Sequence, residues 1–132
     1  APDPVRWIDE CPDPWSELSA ASAIVVPSRE DPLPLVVLEA GRRGHAVVAT
    51  ATGGLPDLLG SDRGLVADRQ RVASITDQLE RVLRSEDLAA SLGGALAEHV
   101  HRHHRPEVVG PLWWDVITDA AARPGRGDRV RR

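Results

Sequence analysis

Apolar residues follow two rhythms along this chain. Short unbroken runs alternate with longer stretches in which apolar residues recur every three or four positions. Ala23-Ile24-Val25-Val26, Ala46-Val47-Val48-Ala49 and Gly64-Leu65-Val66-Ala67 are runs of the first kind, bounded by Pro, Gly or polar residues. Such runs read as strands, and one without polar alternation reads as buried on both faces. Val5-Arg6-Trp7-Ile8 is expected to be a further short strand. Helical spacing prevails elsewhere. Asp13 is placed as N-cap of a short helix over residues 14–21, with Trp15, Leu18 and Ala21 on one face. A helix over residues 35–43 stops at Gly44, and Pro56 opens a short one through Leu59. Asp68 is expected to cap a helix running to about Arg84, whose apolar stripe is Val72, Ile75, Leu79, Val82 and Leu83. Residues 86–101 continue with Leu88, Leu92, Leu96 and Val100 in register. Gly93 and Gly94 each weaken that helix by about 1 kcal/mol relative to Ala, which points to close packing there. The last helix covers residues 107–121, with Val109, Leu112, Trp113, Val116 and Ile117 on one stripe. Pro111 falls in its first turns or breaks it, and Trp113 and Trp114 are expected to pack this helix, with one of the two left exposed.

Strands alternating with helices imply an α/β fold, a Rossmann-like parallel sheet with flanking helices. Four strands are visible, whereas a complete doubly wound domain has about five or six. At 132 residues the chain is one domain's worth. Residues 1–122 are assigned to it, and residues 123–132 are expected to be a disordered basic tail. The net charge of −4 is uneven: residues 1–98 carry 9 Arg and 16 acids, and residues 99–132 carry 7 Arg and 4 acids. No global basic field points to nucleic acid. The single cysteine, Cys11, excludes an internal disulfide and fits a reducing compartment. No apolar run approaches the length of a membrane span, and no signal-peptide pattern is visible. A cytoplasmic protein is therefore expected, with peripheral membrane attachment left open. His99 and His103 share a helical face, but no third ligand has motif spacing, so no metal is expected. Arg126-Gly127-Asp128 is read as tail composition, not as an adhesion signal.

The candidate chemistry lies in residues 24–40, IVVPSREDPLPLVVLEA. A buried strand ends at Pro27. The loop Ser28-Arg29-Glu30-Asp31 follows, and a Pro-spaced segment opens into a helix. A loop leaving the carboxyl end of a parallel strand, followed by the free N–H groups of a helix start, is the ligand-binding corner of α/β folds. The stretch resembles the donor-sugar motif of retaining GT-B-fold glycosyltransferases, the group 1 or family 4-like enzymes, in which two acids are separated by seven residues. Asp31 and Glu39 are the matching pair, with Asp in place of the usual first Glu and Pro34 in place of a usual Gly. Gly53-Gly54-Leu55-Pro56-Asp57 matches the family's next loop, with Asp57 where Glu is usual.

The resemblance implies the later part of a C-terminal donor-binding domain, with the N-terminal acceptor domain and the first donor-domain strands missing. Glu39 would bind the donor's ribose hydroxyls, Asp31 a hydroxyl of its sugar, with Glu30 able to substitute. The N–H groups of Leu35 and Val36 would face the diphosphate, and Leu33 and Pro34 would line the sugar pocket. Thr52, Gly53, Gly54 and Asp57 would border the cleft. Asp9 would stand in the loop that contacts the base. No general base is assigned and the catalytic residues are unknown. The donor is a nucleotide sugar bound as substrate, with no cofactor and no metal expected. The acceptor, a glycan, lipid or small molecule, is unassigned, and nucleic acid is not expected. The isolated chain is expected to be inactive. Two other readings stay open: a nucleotide-sugar epimerase of the same fold, and a non-catalytic module that binds a nucleotide or a partner.

Overall fold

The structure is a computed structural model and describes residues 4–69 and 71–123. The expected tail beyond Arg123, with its Arg126-Gly127-Asp128, lies outside the described residues. Three strands form one parallel sheet in sequence order: β1 (Ile24–Val26), β2 (Val47–Thr50) and β3 (Leu65–Ala67). Val25 faces Val48 across the first pair, and Ala49 faces Val66 across the second. Among the described residues six helices accompany them: α1 (Pro14–Leu18), α2 (Leu35–Arg42), α3 (Leu55–Leu59), α4 (Val72–Leu83), α5 (Glu86–His103) and α6 (Pro106–Ala122).

All four residues of β2 are buried, as expected for its apolar run between two strands, and Thr50 at its end is buried with its hydroxyl hydrogen-bonded. Strand alternation sends Val47 and Ala49 to one face, where they meet Val37 and Ala40 of α2 and Leu96 and Val100 of α5. Val48 goes to the other face, with Leu65, Val82 of α4 and Leu92 of α5. Helix α5 therefore seals both layers. It passes so close to the turn after α2 that a Cβ on Gly93 would lie 2.0 Å from the Gly44 carbonyl oxygen, whereas Gly94 faces open space. Strand β1 forms one edge. Ile24 N–H bonds the Ala46 carbonyl, so the alternating ladder turns the backbone groups of Val25 outward, and its side chain is 37% exposed.

Local signals act as their chemistry dictates. Asp13 accepts the Trp15 N–H at 3.2 Å, although α1 stops at Leu18, short of the expected Ala21. Ser85 accepts the Leu88 N–H and starts α5, which runs on to His103. Arg63 fills the end of α3, donating from Nε to the Leu58 carbonyl at 2.8 Å and from Nη2 to the Asp57 carbonyl at 3.0 Å.

Three expectations are corrected. Val5-Arg6-Trp7-Ile8 is not a strand: Trp7 is 89% exposed, and Arg6 pairs with Glu17 of α1 instead of entering the sheet. The described sheet thus has three strands, not four. Asp68 does not cap α4. That helix starts at Val72 with Arg71 as N-cap and no side-chain cap, while the Asp68 N–H donates to Ser74 Oγ. Trp113 and Trp114 do not pack α6, since both are about two-thirds exposed (64% and 67%) and no residue of that helix is buried. Pro111 lies inside α6 without ending it.

Candidate functional site

Parallel strands put the loops after β1 and β2 at the same carboxyl edge, and the structure locks these two loops together. Thr50 Oγ1 donates to the Ser28 carbonyl, Thr52 Oγ1 to the Arg29 carbonyl at 3.5 Å, and Gly54 N–H to the Pro32 carbonyl at 2.7 Å. Gly53 sits at φ +51° against the acidic loop, where a Cβ would lie 2.1 Å from the Asp31 carbonyl oxygen and 2.3 Å from that of Pro32. Only glycine supplies that approach and that dihedral. Thr52, Gly53 and Gly54 are therefore the bed on which residues 28–34 rest. Asp57 stands apart, exposed in the first turn of α3.

Asp31 and Leu33 are half-buried and Glu30 is exposed. Pro34 is buried and serves as N-cap of α2 with no side chain to cap it. Its carbonyl receives the Val37 N–H, while the N–H groups of Leu35 and Val36 find no partner among the described residues. Leu35 is 71% exposed, and Leu33 and Val36 rest against the core. A helix start with unpaired donors beside a half-buried acid can hold an anion at one end and accept hydroxyl protons at the other.

Glu39, one turn further, is exposed, and its carboxylate is positioned. Trp15 Nε1 donates to Glu39 Oε2 at 3.2 Å. The Arg43 guanidinium lies 4.4 Å from the centroid of the Trp15 ring and donates to the Glu39 carbonyl, and His45 stacks near the same indole. This clamp was missed in the sequence, because helical spacing marks Trp15 only as a core-facing residue of α1. The other side of α1 helps line a cleft of about 300 Å³ that also contains Ile8, Asp9 and Cys11.

The histidines gather at the end of α5. The His99 ring lies 4.7 Å from that of His103 and 5.5 Å from that of His104. Among the described residues no group of His, Cys, Asp and Glu has an arrangement that could hold a metal. Burial lowers the pKa of His99 below the usual 6.5, with Arg63, His103, His104 and Arg102 adding to the effect. Burial and His103 lower that of His104. A base whose folded pKa is depressed binds fewer protons folded than unfolded, so stability is full above 6.5 and falls as pH drops through 6.5 toward the folded values. Urea melts between pH 7.5 and 5 are expected to show this loss, and His99→Gln to flatten it. An equal slope in the variant would assign the loss to other groups.

The sequence profile of the glycosyl transferases group 1 family matches residues 1–98. The D-inositol 3-phosphate glycosyltransferase of Corynebacterium aurimucosum is 34% identical over 96 residues, which are 69% of this chain and 23% of that protein. The N-acetyl-alpha-D-glucosaminyl L-malate synthase of Bacillus anthracis is 25% identical over 107 residues, 77% of this chain and 28% of its own length. In structure, the sucrose-phosphate synthase from Thermosynechococcus elongatus superposes with a TM-score of 0.74 at 29% identity, covering 80% of this chain and 27% of that one. The chain thus spans about a quarter of the length of these relatives. No described helix is long and apolar enough to cross a membrane. With a parallel α/β sheet, interlocked loops at its carboxyl edge and a family match over three-quarters of its residues, the chain belongs to the glycosyl transferases group 1 family.

Proposed function

We propose that this chain supplies part of the donor site of a retaining glycosyltransferase that moves a sugar from a nucleotide-activated donor to an acceptor. The observation that carries this is the start of α2. There the unpartnered N–H groups of Leu35 and Val36 lie between the half-buried Asp31 and the clamped Glu39. In this reading Glu39 accepts hydrogen bonds from ribose hydroxyls and Asp31 from a sugar hydroxyl, with Glu30 next to it. The helix start faces the diphosphate, whose charge must be stabilised as it leaves. Leu33 and Pro34 shape the sugar side, the Thr52-Gly53-Gly54 bed keeps that loop in place, and Asp57 borders the cleft. The cleft beside Asp9 suits a base, since α1 helps line it and also holds Glu39. No metal takes part in this scheme. The three relatives named above are transferases or synthases by name, and none is an epimerase.

Calorimetric titration of the chain with UDP, GDP and a UDP-sugar tests the reading. Glu39→Gln is the informative variant, because its amide oxygen still accepts the Trp15 indole proton while the charge is gone. UDP binding is expected to weaken about tenfold, the scale of a hydrogen bond to a charged group. Unchanged affinity in the variant, or no saturable binding of any nucleotide, overturns the assignment.

A further inference from the structure

A second cavity, of about 550 Å³, opens at the carboxyl end of the sheet, and its wall includes none of residues 30–39. Arg29, after β1, lines it, as do Arg69 and Arg71 between β3 and α4. Thr50 contributes from the end of β2, and Val72 and Ile75 form an apolar side. Among the described residues none of its lining is acidic. Another cavity of similar size, which Arg42 and Arg105 line, has Glu107 in its wall as a counter-charge. Among the described residues neither Arg29, Arg69 nor Arg71 forms an ion pair, whereas Arg6, Arg63, Arg84, Arg102 and Arg123 each do. Thr50 Oγ1 already donates to the carbonyls of Val26 and Ser28, so the side-chain donors left among the described lining residues are guanidinium groups. Like charges on residues that line one concave surface repel one another, and an anion bound there offsets that repulsion. Guanidinium groups match phosphate oxygens in pairs, with planar forked donors. Helix α4 opens at Val72 with no side-chain cap, so its dipole adds to the positive field at the same wall.

We propose that Arg29, Arg69 and Arg71 form a binding site for the phosphate oxyanion of a phosphorylated ligand. The site is distinct from the start of α2 and does not depend on the donor reading. The oxyanion can come from the diphosphate of a nucleotide or from the phosphomonoester of a different ligand.

The test is titration of the 132-residue chain with inorganic phosphate at constant ionic strength, with chloride as the reference anion. Saturable phosphate binding is expected, weakened about tenfold in the double variant Arg69→Ala/Arg71→Ala and less in Arg29→Ala, since exposed guanidiniums are partly screened by solvent. Arg69→Lys/Arg71→Lys keeps the charge without the fork and is expected to fall between. All three arginines are exposed, so circular dichroism and the phosphate-free melting temperature should match the parent. Phosphate bound no better than chloride, or bound equally by the double alanine variant, overturns the site. A second titration with UDP identifies the source. Competition with phosphate assigns the site to a nucleotide diphosphate, and simultaneous binding assigns it to a separate phosphomonoester. Glu39→Gln should leave phosphate binding unchanged. Phosphate bound by the parent chain with no saturable UDP binding would therefore count against the donor assignment and leave the arginine site standing.

Discussion

Gly93→Ala is expected to destabilise the chain by about 3 kcal/mol, at the upper end of what one added methyl group costs in a packed interior. The new Cβ would lie 2.0 Å from the Gly44 carbonyl oxygen and 2.8 Å from its carbon. Both are backbone atoms of the turn that carries the chain from α2 into β2, so no side chain can rotate away. Relief requires α5 to move off the sheet, and α5 carries Leu92 in one core layer and Leu96 and Val100 in the other. Gly94→Ala, one position on, is expected to stabilise by about 1 kcal/mol through helix propensity alone, because nothing lies within 4 Å of its added methyl. Urea or thermal melts of the two variants side by side are the measurement. Effects of the same sign would mean that α5 does not cross the turn at Gly93.

Gly53→Ala is expected to cost about 3 kcal/mol or to release the acidic loop, through two causes at one residue. Its φ of +51° is strained for any side chain, and the added carbon would lie 2.1 Å and 2.3 Å from two carbonyl oxygens of residues 31 and 32. Unlike Gly93, the obstacle here is a surface loop that can lift. If it lifts, part of the cost appears as lost ligand affinity rather than lost stability. Measuring melting temperature and UDP affinity on the same variant separates the two. A variant that melts and binds like the parent would show that the loop after β2 does not support residues 28–34.

The sequence made the framework legible because its framework signals are local. The apolar run that became β2 had to be buried on both faces, Asp13 had the chemistry of a cap, and Gly44 ended α2. The resemblance placed residues 52–54 at the border of the cleft, but their bonds to residues 28–34 were not legible, because they depend on where two distant loops meet. What escaped depended on tertiary partners. Residues 5–8 have strand-like composition, but pairing is decided by an available edge and register, and Arg6 took Glu17 instead. Asp68 has the right chemistry for a cap and sits too early, because the turn after β3 extends to Arg71. The stripe on α6 predicted a helix correctly and its burial wrongly, since periodicity names a face without naming what covers it. The Trp15–Glu39 bond and the arginine cavity join residues far apart in sequence, where spacing carries no signal.

The outward-turned backbone of Val25 has a geometric consequence for ligand recognition. Strand β1 pairs with β2 on one side and, among the described residues, with no strand on the other, where one N–H and one C=O are placed to template a neighbour. A strand that joins there in parallel buries Val25 and ends level with β1. The loop that follows it then emerges beside residues 28–34. Whatever polypeptide extends this sheet, whether from the same molecule or another, enlarges the row of ligand-facing loops in the same step.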